Sequence, residues 1–395
     1  MEKIRAIVIG AGFTGVATAH DLAMRGFEVI LVDRGPIANA TSGRTHGLLH
    51  SGARYAMNDH ESAIECIEEN QTLRKIAPEL FELNDGLFIA IDEGDLALGE
   101  YFIEGLETCH ISFREISPQQ ALGLEPNINP GLLAAFVVPD ATFDPLRLAM
   151  AFAATAKTNG ARFKLYSEVK DLLFDGKGNV TGVKVWDRLA DREREIHADV
   201  VINATGAWAG QIASMIGADI PIKPTPGVMV AYDQRLVNRT INRLTKPSDG
   251  DIVLPQRRMV VVGTTSYEVE DLNYVPVIAE QVDLMLERGS ELVPGIRQAK
   301  KRGVYTATRP LVGGGKDARS ISRTFKFFDH AETQGVNGLL TITGGKATTM
   351  RMMAEKTVDK VCEKFGLDIP SKTKETPLVS YRLYSALPDG ETVNE

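Results

Sequence analysis

Residues 4–24 read I-R-A-I-V-I-G-A-G-F-T-G-V-A-T-A-H-D-L-A-M, and this stretch decides the fold. The apolar run at residues 6–9 predicts a buried parallel strand, and residues 16–24 predict the helix that follows the glycine turn. A strand, a tight turn and a helix in this order are typical of the first unit of a doubly wound α/β domain.

The glycine turn at residues 10–15, G-A-G-F-T-G, has the spacing of a dinucleotide-binding site. Gly10 permits the tight turn, Gly12 lets the backbone approach a pyrophosphate, and Gly15 lets the helix pack closely on the strand. Asp33 ends the second predicted strand about 20 residues further on, where a carboxylate suits the ribose hydroxyls of an adenosine. The stretch predicts a dinucleotide and leaves FAD, NAD and NADP open.

Length and composition are those of an ordinary globular protein. The 395 residues are 44% hydrophobic and 24% charged, which is enough for two domains with full cores. A formal net charge of -8 gives no support to nucleic-acid binding. Cys66, Cys109 and Cys362 are isolated, so we expect no disulfide framework, no metal site and a reducing, cytoplasmic setting. No apolar run approaches the ~20 residues of a membrane helix, which leaves peripheral attachment at the inner face of the membrane open.

Two later stretches repeat the pattern of a strand followed by a glycine turn. Residues 198–203 predict a buried strand that ends in Ala204-Thr205-Gly206. Residues 338–343 predict another, which ends in Gly344-Gly345-Lys346 before a helix at residues 347–365. Between them, residues 221–323 are rich in predicted strands. The chain therefore visits the nucleotide domain three times with a second domain inserted, and this interleaving favours a flavoprotein.

We predict an α/β fold in which a Rossmann-like FAD-binding domain is interleaved with a second, α+β substrate domain built on a largely antiparallel sheet. The FAD-binding domain comprises residues 1–80, 145–220 and 330–366, and the substrate domain comprises residues 81–144 and 221–329. Asp144 and Pro145 predict the N-cap and first residue of a helix. Residues 367–395 are expected to form a loosely held C-terminal tail.

Five stretches resemble one known family: residues 40–55, 246–254, 263–265, 309–312 and 341–355. With the opening turn, they span nearly all of the chain up to about residue 367. The chain resembles the FAD-dependent glycerol-3-phosphate dehydrogenases of the D-amino-acid-oxidase-like superfamily. Within them it is most similar to the large catalytic subunit of the bacterial anaerobic enzyme, without the cysteine-rich C-terminal extension of that subunit.

The resemblance implies that the dinucleotide is FAD. In this family, the turn that matches residues 10–15 holds the pyrophosphate, and the acid that matches Asp33 holds the adenosine ribose. The expected FAD contacts are Gly10, Gly12, Thr14, Gly15, Asp33, Thr41, Ser42, His46, Gly47, Leu49, Val169, Ala204, Gly206, Gly344, Gly345, Lys346, Ala347 and Thr348.

The resemblance also implies oxidation of sn-glycerol 3-phosphate to dihydroxyacetone phosphate, with a hydride passing from C2 to the flavin. Arg54 and Arg309 resemble phosphate-binding arginines, because guanidinium groups bind phosphate oxygens bidentately. Lys346 resembles a substrate-side lysine at a helix start whose dipole would stabilise the reduced flavin. His50 and Tyr55 are candidates for proton transfer or hydroxyl orientation, and the residues alone do not distinguish a base from a structural histidine.

Two other functions stay open at this point. Arg309 and Lys346 could hold a carboxylate, as in an FAD-dependent dehydrogenase or oxidase of a 2-hydroxy acid such as 2-hydroxyglutarate. The chain could also be a non-catalytic flavin electron-transfer subunit.

Two departures from the family pattern concern the substrate pocket and the electron acceptor. Prolines at positions 224 and 226 change the expected loop at residues 223–227. Without the cysteine-rich extension, electrons could pass to a quinone, a partner subunit or oxygen. The residues are also compatible with a homo-oligomer.

Overall fold

The computed structural model describes residues 3–269, 271–313 and 321–387. The helices are α1 (Phe13–Met24), α2 (His60–Ile76), α3 (Glu93–Leu96), α4 (Gly99–Thr108), α5 (Pro118–Leu124), α6 (Pro145–Thr158), α7 (Ala209–Ala213), α8 (Ala279–Leu292), α9 (His330–Thr333) and α10 (Met350–Lys364). The strands are β1 (Arg5–Ile9), β2 (Glu28–Val32), β3 (Leu48–Leu49), β4 (Phe81–Glu82), β5 (Gly86–Ala90), β6 (Arg114–Ile116), β7 (Ala134–Val138), β8 (Ala141–Phe143), β9 (Arg162–Lys164), β10 (Ser167–Phe174), β11 (Val180–Asp187), β12 (Arg192–His197), β13 (Val200–Asn203), β14 (Ile222–Tyr232), β15 (Thr240–Arg243), β16 (Ile252–Gln256), β17 (Met259–Gly263), β18 (Lys301–Val312), β19 (Phe325–Asp329) and β20 (Leu339–Gly344).

The opening strand lies inside a six-stranded sheet of order β19-β20-β13-β1-β2-β9. All neighbours in it are parallel except β19 and β20. An eight-stranded sheet of order β18-β14-β17-β16-β15-β5-β7-β6 is antiparallel apart from the pair β15 and β5. Two three-stranded sheets, β10-β11-β12 and β3-β8-β4, complete the architecture. The predicted fold class is confirmed: a Rossmann-like sheet is combined with mixed and antiparallel sheets.

The division into two domains stays a prediction. Strand β19 pairs with β20 in the six-stranded sheet, although the predicted division places residues 325–329 in the substrate domain.

The glycine turn is as tight as its sequence predicts. Gly10 has φ +107, and its N–H donates to the carbonyl of Val32 at 2.8 Å. A Cβ at Gly10 would lie 2.7 Å from the carbonyl oxygen of Ala204, at the end of the neighbouring strand β13. A Cβ at Gly15 would overlap the carbonyl oxygen of Gly10. Helix α1 can therefore lie this close to β1 only with glycine at position 15.

The segment with the two prolines is part of a strand, and the expectation of a loop there is wrong. Residues 222–232 form β14, in which Pro224 pairs with Pro310 and Pro226 with Thr308 of β18. On its other side, β14 pairs with β17 only at residues 229–232. The prolines therefore lie where one edge of β14 has no ladder partner among the described strands, and such an edge tolerates a missing N–H.

A buried ion pair fixes helix α10 against α2. The guanidinium of Arg351 is bidentate to the carboxylate of Glu69, and these side chains are 1% and 0% exposed. Arg351 also donates to the hydroxyl of Thr373 at 2.9 Å. Beyond it, the N–H of Leu378 donates to the carbonyl of Ile76 at 2.8 Å. The expectation of a loosely held tail is therefore wrong for residues 367–387, and residues 388–395 lie outside the described residues.

Replacing Gly15 with alanine should destabilise the protein by about 3 kcal/mol, because the new methyl group forces α1 away from β1. Urea unfolding followed by circular dichroism measures this change. The control is Gly123→Ala in α5, where a Cβ meets no atom within 4 Å. There the higher helix propensity of alanine should stabilise the protein by up to about 1 kcal/mol. Equal stability of the two variants would contradict the close contact.

Candidate functional site

A cavity of about 360 Å³ lies between the carboxyl ends of the six-stranded sheet and one face of the eight-stranded sheet. Ligands of open α/β sheets bind at such strand ends. Most residues expected at the site line this cavity: Gly10, Gly12, Thr14, Asp33, Thr41, Ser42, His46, His50, Arg54, Tyr55, Val169, Ala204, Gly206, Arg309, Gly344, Gly345, Lys346 and Ala347.

Four expected cofactor residues lie behind the cavity wall. Gly15 packs on Gly10, and a Cβ at Gly47 would overlap the carbonyl oxygen of Phe143. Leu49 is fully buried in β3. The hydroxyl of Thr348 accepts the N–H of His50 at 3.1 Å. The contacts of these four residues support the wall of the cavity, and their direct contact with a cofactor stays a prediction.

The start of helix α1 forms one end of the cavity. Its first N–H, that of Phe13, donates to the hydroxyl of Ser42 at 2.9 Å. A Cβ at Gly12 would come within 3.0 Å of the same hydroxyl. The hydroxyl of Thr41 donates to the carbonyl of Thr308 in β18 at 2.8 Å. Residues 41 and 42 therefore join the glycine turn to the eight-stranded sheet across the cavity.

The carboxylate of Asp33 lies beside the glycine turn. Its Oδ2 accepts the N–H of Ala11 at 2.6 Å, and its Oδ1 accepts the N–H of Gly35 at 2.7 Å. Burial raises the pKa of Asp33, and the two N–H groups oppose this shift. Both oxygens keep a lone pair for a further donor, such as a ribose hydroxyl.

Two arginines line the opposite end of the cavity in different electrostatic settings. Arg54 forms an ion pair with Asp251 at 2.8 Å, which outweighs burial and raises the pKa of the guanidinium. Within the described ranges, Arg309 donates only to the backbone carbonyls of Thr225 (3.4 Å) and Thr265 (3.1 Å), and no carboxylate there lies within 4.0 Å of it. Its removal from water, together with the neighbouring Arg323, lowers its pKa. Arg309 is therefore a positive charge that a bound anion would stabilise.

Lys346 completes this cationic end. Its Nζ donates to the carbonyl of Arg323 at 3.0 Å and lies 3.6 Å from a carboxylate oxygen of Glu65. The same ammonium lies 5.2 Å from the centroid of the Tyr55 ring. Burial raises the pKa of Tyr55, so the phenol keeps its proton and can donate a hydrogen bond.

Burial favours the neutral form of both histidines of the cavity. Burial, together with Arg54 and Arg309, lowers the pKa of His46 to about 3. Burial, together with His46, Arg54 and Lys346, places the pKa of His50 well below its usual value. The Nδ1 of His46 accepts the N–H of Leu48 at 3.2 Å, which fixes its tautomer. The rings of His50 and Tyr55 lie 5.5 Å apart.

Helix α10 begins three residues later than the sequence predicts. Gly344 and Gly345 have φ +88 and +67, and the hydroxyl of Thr349 accepts the N–H of Lys346 at 3.1 Å. The left-handed conformations of the two glycines form a turn ahead of the helix. The hydroxyl of Thr349 satisfies the N–H of Lys346 in that turn, so this N–H needs no ligand. Among the described residues, the N–H groups of Ala347 and Thr348 have no protein acceptor. Both N–H groups lie next to Lys346 in the chain and are available to a ligand acceptor.

Some cavity residues were not expected from the sequence. Arg323 and Thr264 line the cationic end, and Arg34 and Trp208 line the end near Asp33. The guanidinium of Arg34 lies 4.6 Å from the centroid of the Trp208 ring. Arg34 directly follows Asp33, and Thr264 lies in a stretch that resembles the family, so position could have indicated both. Arg323 follows no recognisable motif.

Neither a metal cluster nor a membrane helix is found in the part of the chain that the structure describes. No group of three or more His, Cys, Asp or Glu side chains there could hold a metal ion. No helix there combines the length and the apolar character that crossing a membrane requires.

Known proteins resemble this chain over most of its length. Residues 5–351 match the family model described as DAO, FAD dependent oxidoreductase. The chain is 42% identical over 396 residues to the A1 subunit of the anaerobic glycerol-3-phosphate dehydrogenase of Haloferax volcanii, covering 97% of this chain and 67% of that relative. It is 43% identical over 376 residues to the A subunit of the anaerobic glycerol-3-phosphate dehydrogenase of Escherichia coli (strain K12), covering 94% and 69%.

A solved structure shares the fold. The glycerol-3-phosphate dehydrogenase from Bacillus halodurans complexed with FAD superimposes with a TM-score of 0.75 at 24% identity, covering 95% of this chain and 68% of that one. The family match, the two relatives and the shared fold agree with the cavity at the strand ends. The chain belongs to the DAO family of FAD-dependent oxidoreductases, with subunits of anaerobic glycerol-3-phosphate dehydrogenases among its relatives.

Proposed function

We propose that this chain oxidises sn-glycerol 3-phosphate to dihydroxyacetone phosphate. The observation that carries the proposal is the convergence of Arg54, Arg309 and Lys346 on one end of the cavity, beside His50 and Tyr55. The names of the two relatives agree with this substrate. Two guanidinium groups can bind the several oxygens of a phosphate at once, whereas a single carboxylate offers only two oxygens. This favours glycerol 3-phosphate over a 2-hydroxy acid.

The charge balance supports an anionic substrate. Asp251 neutralises Arg54, and Glu65 lies near Lys346, whereas Arg309 has no such partner among the described carboxylates. A buried cation without a counter-ion is costly, and a bound phosphate would remove that cost. Binding of the anion therefore also stabilises the charged form of Arg309.

His50 is the proposed general base. Its neutral imidazole can accept the proton of the C2 hydroxyl, while the ring of His46 is committed to the N–H of Leu48. The cations around His50 make it a weak base in the free protein. A phosphate bound to Arg54 and Arg309 offsets their charge, so we expect the substrate itself to strengthen the base.

The residues of the cavity fit FAD. Gly10 and Gly12 line one end of the cavity with bare backbone, which a pyrophosphate could approach. At the other end, the N–H groups of Ala347 and Thr348 have no acceptor among the described residues and could bind one of the ligand's. Asp33 would hold the ribose. The bound FAD supplies the acceptor for the hydride from C2. Lys346 and the start of α10 would hold negative charge at that end.

We further propose that electrons leave this chain through a partner protein. Both relatives are named as single subunits of a larger enzyme, which supports an assembly with further chains. A quinone is the alternative acceptor. Such a partner could attach the chain peripherally to the inner face of the membrane. This agrees with the described helices, none of which is long and apolar enough to cross a membrane.

Adding glycerol 3-phosphate to the FAD-loaded protein without oxygen should bleach the flavin absorbance, because the two electrons of the hydride stay on the cofactor. Stopped-flow absorbance follows this change. Bleaching only by 2-hydroxyglutarate would overturn the proposal in favour of a hydroxy-acid dehydrogenase. Bleaching by neither compound would favour a non-catalytic role in electron transfer.

Arg309→Ala should raise the KM for glycerol 3-phosphate by about 10- to 100-fold, since a charge-assisted hydrogen bond contributes about 1.5–3 kcal/mol. The FAD content should stay that of the wild type. Steady-state kinetics and flavin absorbance measure both quantities. Arg302→Ala, an exposed position on the same strand β18, is the control and should change neither. Loss of FAD from the Arg309 variant would count against its substrate role.

His50→Gln should lower kcat by about 100- to 10,000-fold while FAD stays bound, because glutamine cannot take the proton. The lowered pKa adds a direct check: NMR of the histidine rings should find His50 still neutral at about pH 6, where an ordinary histidine is largely protonated. His46→Gln identifies the second resonance. A His50 that is protonated at this pH in the free protein would contradict the assignment.

A further inference from the structure

Asp59 lies just outside the cavity, at the N-terminus of helix α2. Its Oδ1 accepts the N–H of Ser62 at 3.2 Å and so caps the helix. Its Oδ2 accepts the N–H of Arg323 at 2.9 Å and the hydroxyl of Ser322 at 3.1 Å. One half-buried carboxylate therefore joins two segments that are 264 residues apart in sequence.

The segment that Asp59 holds contributes twice to the cationic end of the cavity. The side chain of Arg323 lines the cavity, and its carbonyl accepts the Nζ of Lys346 at 3.0 Å. The next carbonyl, that of Thr324, accepts the N–H of Gly345 at 3.3 Å. A shift of residues 322–324 would thus displace one cation directly and release the acceptor of another.

The main chain of Asp59 is tied to the same site from the other side. Its N–H donates to the carbonyl of Tyr55 at 2.8 Å, and the ring of Tyr55 faces the ammonium of Lys346. Burial disfavours the charge on Asp59, but the N–H groups of Arg323 and Ser62 outweigh it and lower its pKa. Asp59 is therefore a carboxylate at neutral pH, and its bonds to these N–H groups are charge-assisted.

We propose that Asp59 is a positioning residue that fixes residues 322–324, so that Arg323 and Lys346 face a bound phosphate group together. The identity of the substrate rests on the proposed function, whereas the positioning itself concerns any phosphate in this cavity. Asp59 acts through these two cations, because it does not line the cavity.

Asp59→Asn in the FAD-loaded protein tests this role. The amide oxygen can still cap α2, but the amide N–H₂ meets the N–H of Arg323, and two donors cannot bond. We expect the Kd of inorganic phosphate, followed by the change in flavin absorbance, to rise about tenfold. The KM for glycerol 3-phosphate should rise equally, while kcat changes less than about threefold. FAD content and Tm should stay at wild-type values.

Two further variants separate positioning from helix capping. Asp144→Asn, at the N-cap of α6, removes a carboxylate of the same kind that does not line the cavity, and it should leave phosphate binding unchanged. Ser322→Ala removes one of the two contacts at Oδ2 and should raise the Kd of phosphate by about two- to threefold.

If Asp59→Asn binds phosphate as tightly as the wild type does, the positioning role is overturned. It is also overturned if Asp59→Asn and Asp144→Asn lose phosphate binding, Tm and FAD content to the same extent. If Asp59→Asn does not fold, the Ser322→Ala titration decides, and an unchanged Kd there overturns the role. Wild-type protein that binds phosphate but is not reduced by glycerol 3-phosphate would overturn the proposed function alone. Wild-type protein that binds no phosphate would overturn the positioning role.

Discussion

The close approach of three strand ends around Gly10 determines where the other parts of the site lie. Its N–H is bonded to the end of β2, and its Cα faces the carbonyl at the end of β13. No side chain fits between them. The turn therefore brings the start of α1, Asp33 and Ala204 to a single edge of the sheet, and the cavity follows from this edge. The eight-stranded sheet closes the cavity from the other side through β14 and β18.

Carboxylates behind the cavity wall organise the cations in front of it. Asp251 pairs with Arg54, Glu65 lies near Lys346, and Asp59 holds the backbone of Arg323. These cations are thus held in place before any ligand arrives, and preorganised charges need no rearrangement when an anion binds. Arg309 is different, since its partners in the part of the chain that the structure describes are two backbone carbonyl groups. The site therefore combines cations that carboxylates hold in place with Arg309, whose charge a bound anion would neutralise.

Local rules predicted the parts of the structure that neighbouring residues determine. The turn at Gly10 follows from its own glycine spacing, and the N-cap Asp144 accepts the N–H of Arg147 as expected. Contacts between distant segments were beyond those rules. Pro226 lies in a strand because β17 stops short of it, the N–H of Arg323 donates to Asp59, and Thr373 is held by a buried arginine. The family resemblance supplied the expected roles of the site residues, and those roles stay predictions.

The strand order of the six-stranded sheet has a consequence for biosynthesis. The neighbours of β1 come from residues 28–32 and 200–203, and the next strand out comes from residues 339–344. A chain emerging from the ribosome therefore holds an incomplete nucleotide-binding sheet, with an open edge at β13, until most of its length has been made. Such exposed edges favour aggregation, and pairing of distant segments is slow. Protection of this open edge during synthesis should therefore raise the yield of active protein.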